Sequence, residues 1–191
     1  MTRLIVTPDD APSDVLLDTD KLDEIATALD GVGVRYERWN VAAPVPADGS
    51  DDEVLAALAA DVQRVSNKGG YVTVDVARLR RGAESDAEWT EKAAGARGKF
   101  LAEHRHADDE VRYFVAGRGA FYLRLDGKVH IVLCETGDLL NVPAGTRHWF
   151  DMGTDPSFVA LRFFREPEGW VGDFTGDTIA TRFRTFDEIT A

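Results

Sequence analysis

The sequence predicts a mainly β protein with flanking helices, built around a small antiparallel barrel or jelly roll. Two observations carry that reading. From residue 110 onward, short β-branched and aromatic runs fall at 112–115, 120–125, 129–133, 139–142 and 158–164, divided by Gly117, Gly119, Asp126-Gly127, Gly137-Asp138, Pro143, Gly145 and Gly153. Many strands at such close spacing suit a closed antiparallel sheet. Upstream, the periodicity is mostly helical, with only isolated strand-like runs. At 191 residues the chain is sized for one domain. The expected organisation is one unit over 1–191, with a helical N-terminal portion of about 1–70 packed against a barrel of about 71–176.

Each element has a local reason. Over 20–29, Leu22, Ile25, Ala26 and Leu29 recur at helical spacing, and Gly31 and Gly33 end the run. Val34-Arg35-Tyr36-Glu37-Arg38-Trp39 alternates like a short strand, and Pro44 and Pro46 then mark a loop. Ser50-Asp51-Asp52-Glu53 has the form of a capping box, in which hydroxyl and carboxylate each satisfy an orphan amide. The helix it starts should run to about Val65, with Val54, Leu55, Leu58, Ala59, Val62 and Val65 on one stripe. The acids from Asp48 to Glu53 then read as a solvated helix start, favoured by the positive end of the dipole. A strand over 71–76 and a helix over 84–96 follow, the helix before Gly98. Asp126-Gly127 between alternating runs signals a tight hairpin. Residues 167–176 read as an irregular aromatic-bearing segment, and the last fifteen carry no clear pattern.

Composition excludes several classes. Hydrophobic residues at 44% and charged ones at 29% are ordinary globular values and argue against disorder. A net charge of -12 leaves no basic patch for neutralising phosphates, so a nucleic-acid binder is not expected. The apolar runs are too short to span a membrane, and the first ten residues do not form a signal peptide. Cys134 is the sole cysteine, so no intrachain disulfide forms and a cytoplasmic location fits. An acidic surface repels anions, so an anionic substrate needs a local cation or a metal.

The chemistry concentrates in two motifs that hold three of the four histidines. In His104-Arg105-His106 the imidazoles stand two residues apart and share one face of a strand. Glu110 follows four residues later, and His148 comes after Pro143-Ala144-Gly145. Three neutral nitrogens and one carboxylate make a donor set suited to first-row divalent ions. Four such ligands on an octahedral ion leave two adjacent positions for a chelating oxygen substrate, unlike a closed structural zinc site. A lone His-x-His is weak. Here, however, Gly98, five residues, His104-Arg105-His106, three residues, Glu110, six residues and Gly117 match the first cupin motif throughout. Gly137, five residues, Pro143-Ala144-Gly145, two residues and His148 match the second up to its last position, where Met152 replaces the frequent Asn. That Asn is not a ligand in the family, and the sequence resembles a metal-binding cupin.

Longer blocks narrow the resemblance. Val34-Arg35-Tyr36-Glu37-Arg38-Trp39, Lys99-Phe100-Leu101-Ala102-Glu103-His104 and Asp109-Glu110-Val111-Arg112-Tyr113-Phe114-Val115 resemble acireductone dioxygenase. So do Val142-Pro143-Ala144, His148-Trp149-Phe150-Asp151-Met152-Gly153 and Glu168-Gly169-Trp170. The resemblance implies an enzyme of methionine salvage that acts with O2 on 1,2-dihydroxy-3-keto-5-(methylthio)pentene. It implies one Fe(II) or Ni(II) per chain, held by His104, His106, Glu110 and His148. With Fe(II) the family gives 4-methylthio-2-oxobutanoate and formate, and with Ni(II) 3-methylthiopropanoate, formate and carbon monoxide. The same ligands accept both ions, so the sequence does not choose between the outcomes. A monomer is expected, with no nucleic-acid or membrane partner.

A substrate anion asks for a cation nearby. Arg112, two residues after Glu110 on the same strand face, is the first candidate, and Arg162 within an apolar run is the second. A salt bridge is the plainer role for either. Phe150 and Trp170 are candidate walls around the methylthio tail, although barrel aromatics usually belong to the core. Arg105 is expected to be structural, Glu103 exposed, Asp108 and Asp109 a solvated turn, His130 a surface or strand residue, and Cys134 a buried hydrophobe. Two other functions fit the generic motifs: a sugar-phosphate isomerase or epimerase, which needs a basic pocket, and a non-catalytic metal-binding module.

Overall fold

The structure, a computed structural model, describes residues 1–41, 45, 49–166 and 171–191. The expected loop at Pro44 and Pro46, Asp48 and the candidate Trp170 lie outside the described residues. In chain order the elements are β1 (Arg3–Pro8), β2 (Leu17–Thr19), α1 (Leu22–Asp30), β3 (Arg35–Arg38), α2 (Asp51–Ala57) and α3 (Ala59–Gly69). They continue with β4 (Thr73–Leu79), α4 (Asp86–Phe100), β5 (His104–Arg105), β6 (Glu110–Leu125), β7 (Lys128–Glu135) and β8 (Asp138–Val142). The chain ends with β9 (Arg147–Asp151), β10 (Phe158–Phe164), β11 (Asp173–Phe174), a 3-10 turn over Ile179–Arg182 and α5 (Phe186–Thr190).

The sixteen-residue β6 organises the barrel. Its first half pairs with β8 and β10, and its second half with β7 and β9, all antiparallel. The two runs predicted at 112–115 and 120–125 are therefore one strand that passes from one sheet to the other. The bend lies at Gly117, whose φ is 70°. A Cβ there would collide with the Ser157 carbonyl oxygen, so glycine is required twice over. The predicted hairpin turn carries φ of 51° at Asp126 and 68° at Gly127, as a type I′ turn demands, and pairs Leu125 with Lys128.

Apolar residues fall into layers. Phe114, Phe121, Phe150 and Phe158 fill the interior, with Phe121 and Phe150 rings 4.9 Å apart. Outside one sheet, Val54 of α2, Leu58 at the α2–α3 junction and Val65 of α3 cover Val111, Tyr113, Leu161 and Phe163. Outside the other, Ile179, Phe183, Phe186 and Ile189 cover Tyr122 and Trp149, whose rings stack at 5.0 Å. Burying each of these large side chains contributes on the order of 2–3 kcal/mol of transfer free energy.

The Ser50 hydroxyl accepts from the Glu53 amide while the Glu53 carboxylate accepts from the Ser50 amide, so the capping box forms as expected. The helix it starts breaks at Leu58, where φ is -107° and ψ is 17°. Leu58 is fully buried, and neither Gly nor Pro stands at the break. The first seventy residues differ from the helical portion expected. β1 lies between β7 and β2 within a sheet, and β3 edges β8. Leu4 and Ile5 are both fully buried, one on each face of β1, so that strand carries no polar alternation for periodicity to detect.

Candidate metal centre

The two motifs meet by strand pairing. β5 and β9 join at the single register His104↔His148, and Leu123 of β6 pairs with His148 on the other side. The Pro143-Ala144-Gly145 turn is tied to the first motif by two bonds. The Gly145 amide donates to the His106 carbonyl at 2.8 Å, and the Ala144 amide to Asp109 Oδ1 at 3.0 Å. Asp108 and Asp109 also accept from Arg165, so they clamp the end of β10 and are more than a solvated turn.

One ring nitrogen from each of His104, His106 and His148 lies within 4.8 Å of the others, close enough for a single ion. All three Nδ1 atoms are directed at backbone carbonyls: His104 at Ala102 (2.8 Å), His148 at Thr146 (2.8 Å) and His106 at Val171 (3.1 Å). A carbonyl only accepts, so each Nδ1 carries the proton and each Nε2 keeps its lone pair for the centre. Glu110 Oε2 stands 2.7 Å from His148 Nε2 and 3.6 Å from His106 Nε2. The structure thus brings together all four residues expected from the sequence as ligands.

The donor set fits a divalent cation on a specific observation. Glu110 Oε2 and His148 Nε2 are buried and in contact, yet neither makes a hydrogen bond. With Nδ1 protonated these are two acceptors pressed together, an arrangement that is repulsive until a cation stands beside both. Protonation is already arranged for binding. Burial, and then the neighbouring His148, push His104 down to about 4. Burial likewise lowers His106, against the pull of Glu110. Burial would raise the Glu110 carboxyl, but the Arg112 guanidinium holds it well below the usual carboxylate range. At neutral pH His104 and His106 are therefore neutral imidazoles beside a carboxylate, as metal binding needs.

Arg112 is buried beside this cluster, its Nε 2.8 Å from Glu110 Oε1 and its guanidinium 4.8 Å from the Phe150 ring centre. Phe150 belongs to the interior aromatic layer, and the Arg112 guanidinium packs against its ring. Arg162 pairs with Arg112 in register, but its guanidinium makes a bidentate bond to Asp75 at 2.8 and 2.6 Å. Its charge is thereby answered within the protein, the plainer of its two expected roles. Arg105 pairs with Asp173 at the surface, and Cys134 is a buried member of the core. His130, on β7, is buried.

Glu103 differs from expectation. It is 1% exposed, accepts from the Thr175 hydroxyl at 2.7 Å and stands 3.3 Å from Arg124. Apolar-pattern reasoning does not detect a buried carboxylate whose partners lie 21 and 72 residues away. The acceptor of His106 was missed for the same reason, lying 65 residues away, whereas those of His104 and His148 carry a local signature, a carbonyl two residues before the histidine.

A β-barrel with a three-imidazole, one-carboxylate cluster at its mouth defines a metal-binding cupin. Comparison with known proteins narrows the class. A model of the ARD/ARD' family matches residues 4–172. An acireductone dioxygenase of Parvibaculum lavamentivorans is 54% identical, covering 98% of each chain, and acireductone dioxygenase 1 of Nocardia farcinica is 51% identical over 99% of each. A solved structure of acireductone dioxygenase from Bacillus anthracis, with cadmium ion in its active centre, is 31% identical. It covers 91% of this chain and 98% of its own, with a TM-score of 0.73. The chain belongs to the ARD/ARD' family.

Proposed function

We propose that the chain is an acireductone dioxygenase of methionine salvage, cleaving 1,2-dihydroxy-3-keto-5-(methylthio)pentene with O2. The convergence of His104, His106, His148 and Glu110 on one centre carries this reading, with kinship over the whole length of the curated relatives. These four residues would hold Fe(II) or Ni(II), one per chain, and the ion identity would select between the 4-methylthio-2-oxobutanoate and 3-methylthiopropanoate product sets. Such an ion supplies Lewis acidity and a template that favours the deprotonated enediol and orients it toward O2. The three Nδ1–H···O=C bonds hold the imidazoles so that no proton need leave before the ion binds. Arg112 neutralises Glu110 and so leaves the charge of a bound ion to the anionic substrate, and Phe150 beneath it offers an apolar wall to the methylthio tail.

A sugar-phosphate isomerase would want cations left over for phosphate. Instead, the two arginines of this region face Glu110 and Asp75. We further infer a monomer acting in the cytoplasm. Among the described residues no helix is long and apolar enough to cross a membrane. The test is anaerobic incubation of metal-stripped protein with an acireductone analogue, followed by air. Loss of its ultraviolet absorbance only after Fe(II) or Ni(II) is restored supports the reading, and no metal-dependent loss removes it.

A further inference from the structure

We propose that Glu103 is a positioning residue: it fastens residues 171–177 as a strap along the metal-binding edge and so holds His106 in its ligating tautomer. The inference rests on the metal-site reading above. Glu103 binds the strap with both backbone and side chain. Its carbonyl accepts from the Thr175 amide at 3.1 Å, and its Oε2 accepts from the Thr175 hydroxyl at 2.7 Å. Its other oxygen faces Arg124, which also donates to Asp177 at 2.9 Å, closing a clasp around the far end of the strap. Asp177 in turn accepts from the Ile179 amide at 3.0 Å.

The near end of the strap serves the cluster. Val171 supplies the carbonyl for His106 Nδ1, while β11 pairs Phe174 with His104 and sets the two rings 5.6 Å apart. Burial does not hold these residues in place, because Val171 is 79% and Phe174 58% exposed. The polar clasp fixes them together with the β5–β11 pairing and the Arg105–Asp173 pair. The dependence is uneven among the ligands. His104 and His148 take their acceptors from two residues back in their own segments, whereas the acceptor of His106 lies 65 residues away on the strap. Loosening the strap should therefore release His106 and leave the other two histidines as they are.

The experiment compares wild type with Glu103→Ala, Glu103→Gln and Thr175→Val. It titrates Ni(II) into metal-stripped protein and reads ring-nitrogen spectra of ¹⁵N-labelled histidine before metal is added. Loss of an outer partner of this kind weakens metal binding about tenfold or more. The expected result is that loss in Glu103→Ala, a smaller one in Thr175→Val, and recovery in Glu103→Gln, which keeps an acceptor for Thr175. The His106 signal should become a tautomer mixture while His104 and His148 stay Nδ1-protonated. Unchanged affinity with a single His106 tautomer in both Glu103→Ala and Thr175→Val overturns the proposal, and so does equal tautomer loss at all three histidines. If Glu103→Ala fails to fold, Thr175→Val decides, since its side chain is at the surface. No substrate enters the test, so its failure is separable from failure of the dioxygenase reading.

Discussion

Arg112→Leu separates the charge of Arg112 from its bulk. The guanidinium lies 2.8 Å from Glu110 Oε1 inside the barrel, and both side chains are nearly sealed from water, at 4% and 2% exposure. Removing one member of a buried pair costs about 3–5 kcal/mol, because the other charge is left uncompensated. In a chain of this length each kcal/mol moves Tm by about 2–4 °C, so the metal-free variant should melt roughly 6–20 °C below wild type. A bound divalent ion restores a positive neighbour to Glu110, so the deficit should shrink by more than half in the loaded form, and metal affinity should hold or rise. Turnover should nevertheless fall, because the loaded centre then offers the substrate anion one positive charge fewer. Calorimetry of stripped and Ni(II)-loaded protein, elemental analysis and oxygen uptake with acireductone read the three quantities separately. A stripped variant melting within a degree or two of wild type, or a variant purified without metal, would refute the charge assignment.

Three further outcomes are expected. His148→Ala removes one of four ligands and should lower metal content and turnover together; full occupancy at full rate would show the ligand set to be wrong. Metal-free protein should lose stability as pH falls from 6.5 toward about 4, because unfolded histidine takes up a proton there while folded His104 stays neutral. Glu110, held low when folded, adds a loss only below its unfolded value of 4.5. Urea midpoints that are flat or rising through the histidine window as pH falls would contradict this. Gly117→Ala meets both the left-handed torsion, which costs about 1–3 kcal/mol, and the Ser157 carbonyl. Its urea midpoint should drop accordingly, and a neutral result would mean that the bend in β6 is not constrained as described.

What was legible in the sequence is what short spacing encodes. Asp126-Gly127 specified its turn because both residues take positive φ, and Ser50 with Glu53 specified a helix start through two reciprocal bonds. The ligands were legible because a two-residue strand step and the Pro143-Ala144-Gly145 turn fix their local directions. What escaped depends on distant partners. β1 carries no alternation because its neighbours bury both faces, and β5 and β11 are two-residue strands defined only by each other and by β9. Glu103 and Arg162 each carry a charge whose meaning is set by Thr175, Arg124 and Asp75, and no period in the sequence points to those partners.

Charge balance at the barrel mouth resolves how a protein of net charge -12 can accept an anion. Glu110 and Arg112 cancel, Arg162 and Asp75 cancel, and burial holds His104 and His106 neutral, so the cluster is close to balanced before an ion arrives. A divalent ion then leaves two uncompensated positive charges in a site walled by Phe121 and Phe150, where the low dielectric enlarges their pull. Arg112 contributes chiefly by neutralising Glu110 and only then by facing the substrate. On this account the acidic surface sets no barrier inside the site, and it is the loaded centre, not the apoprotein, that should attract the enediol anion.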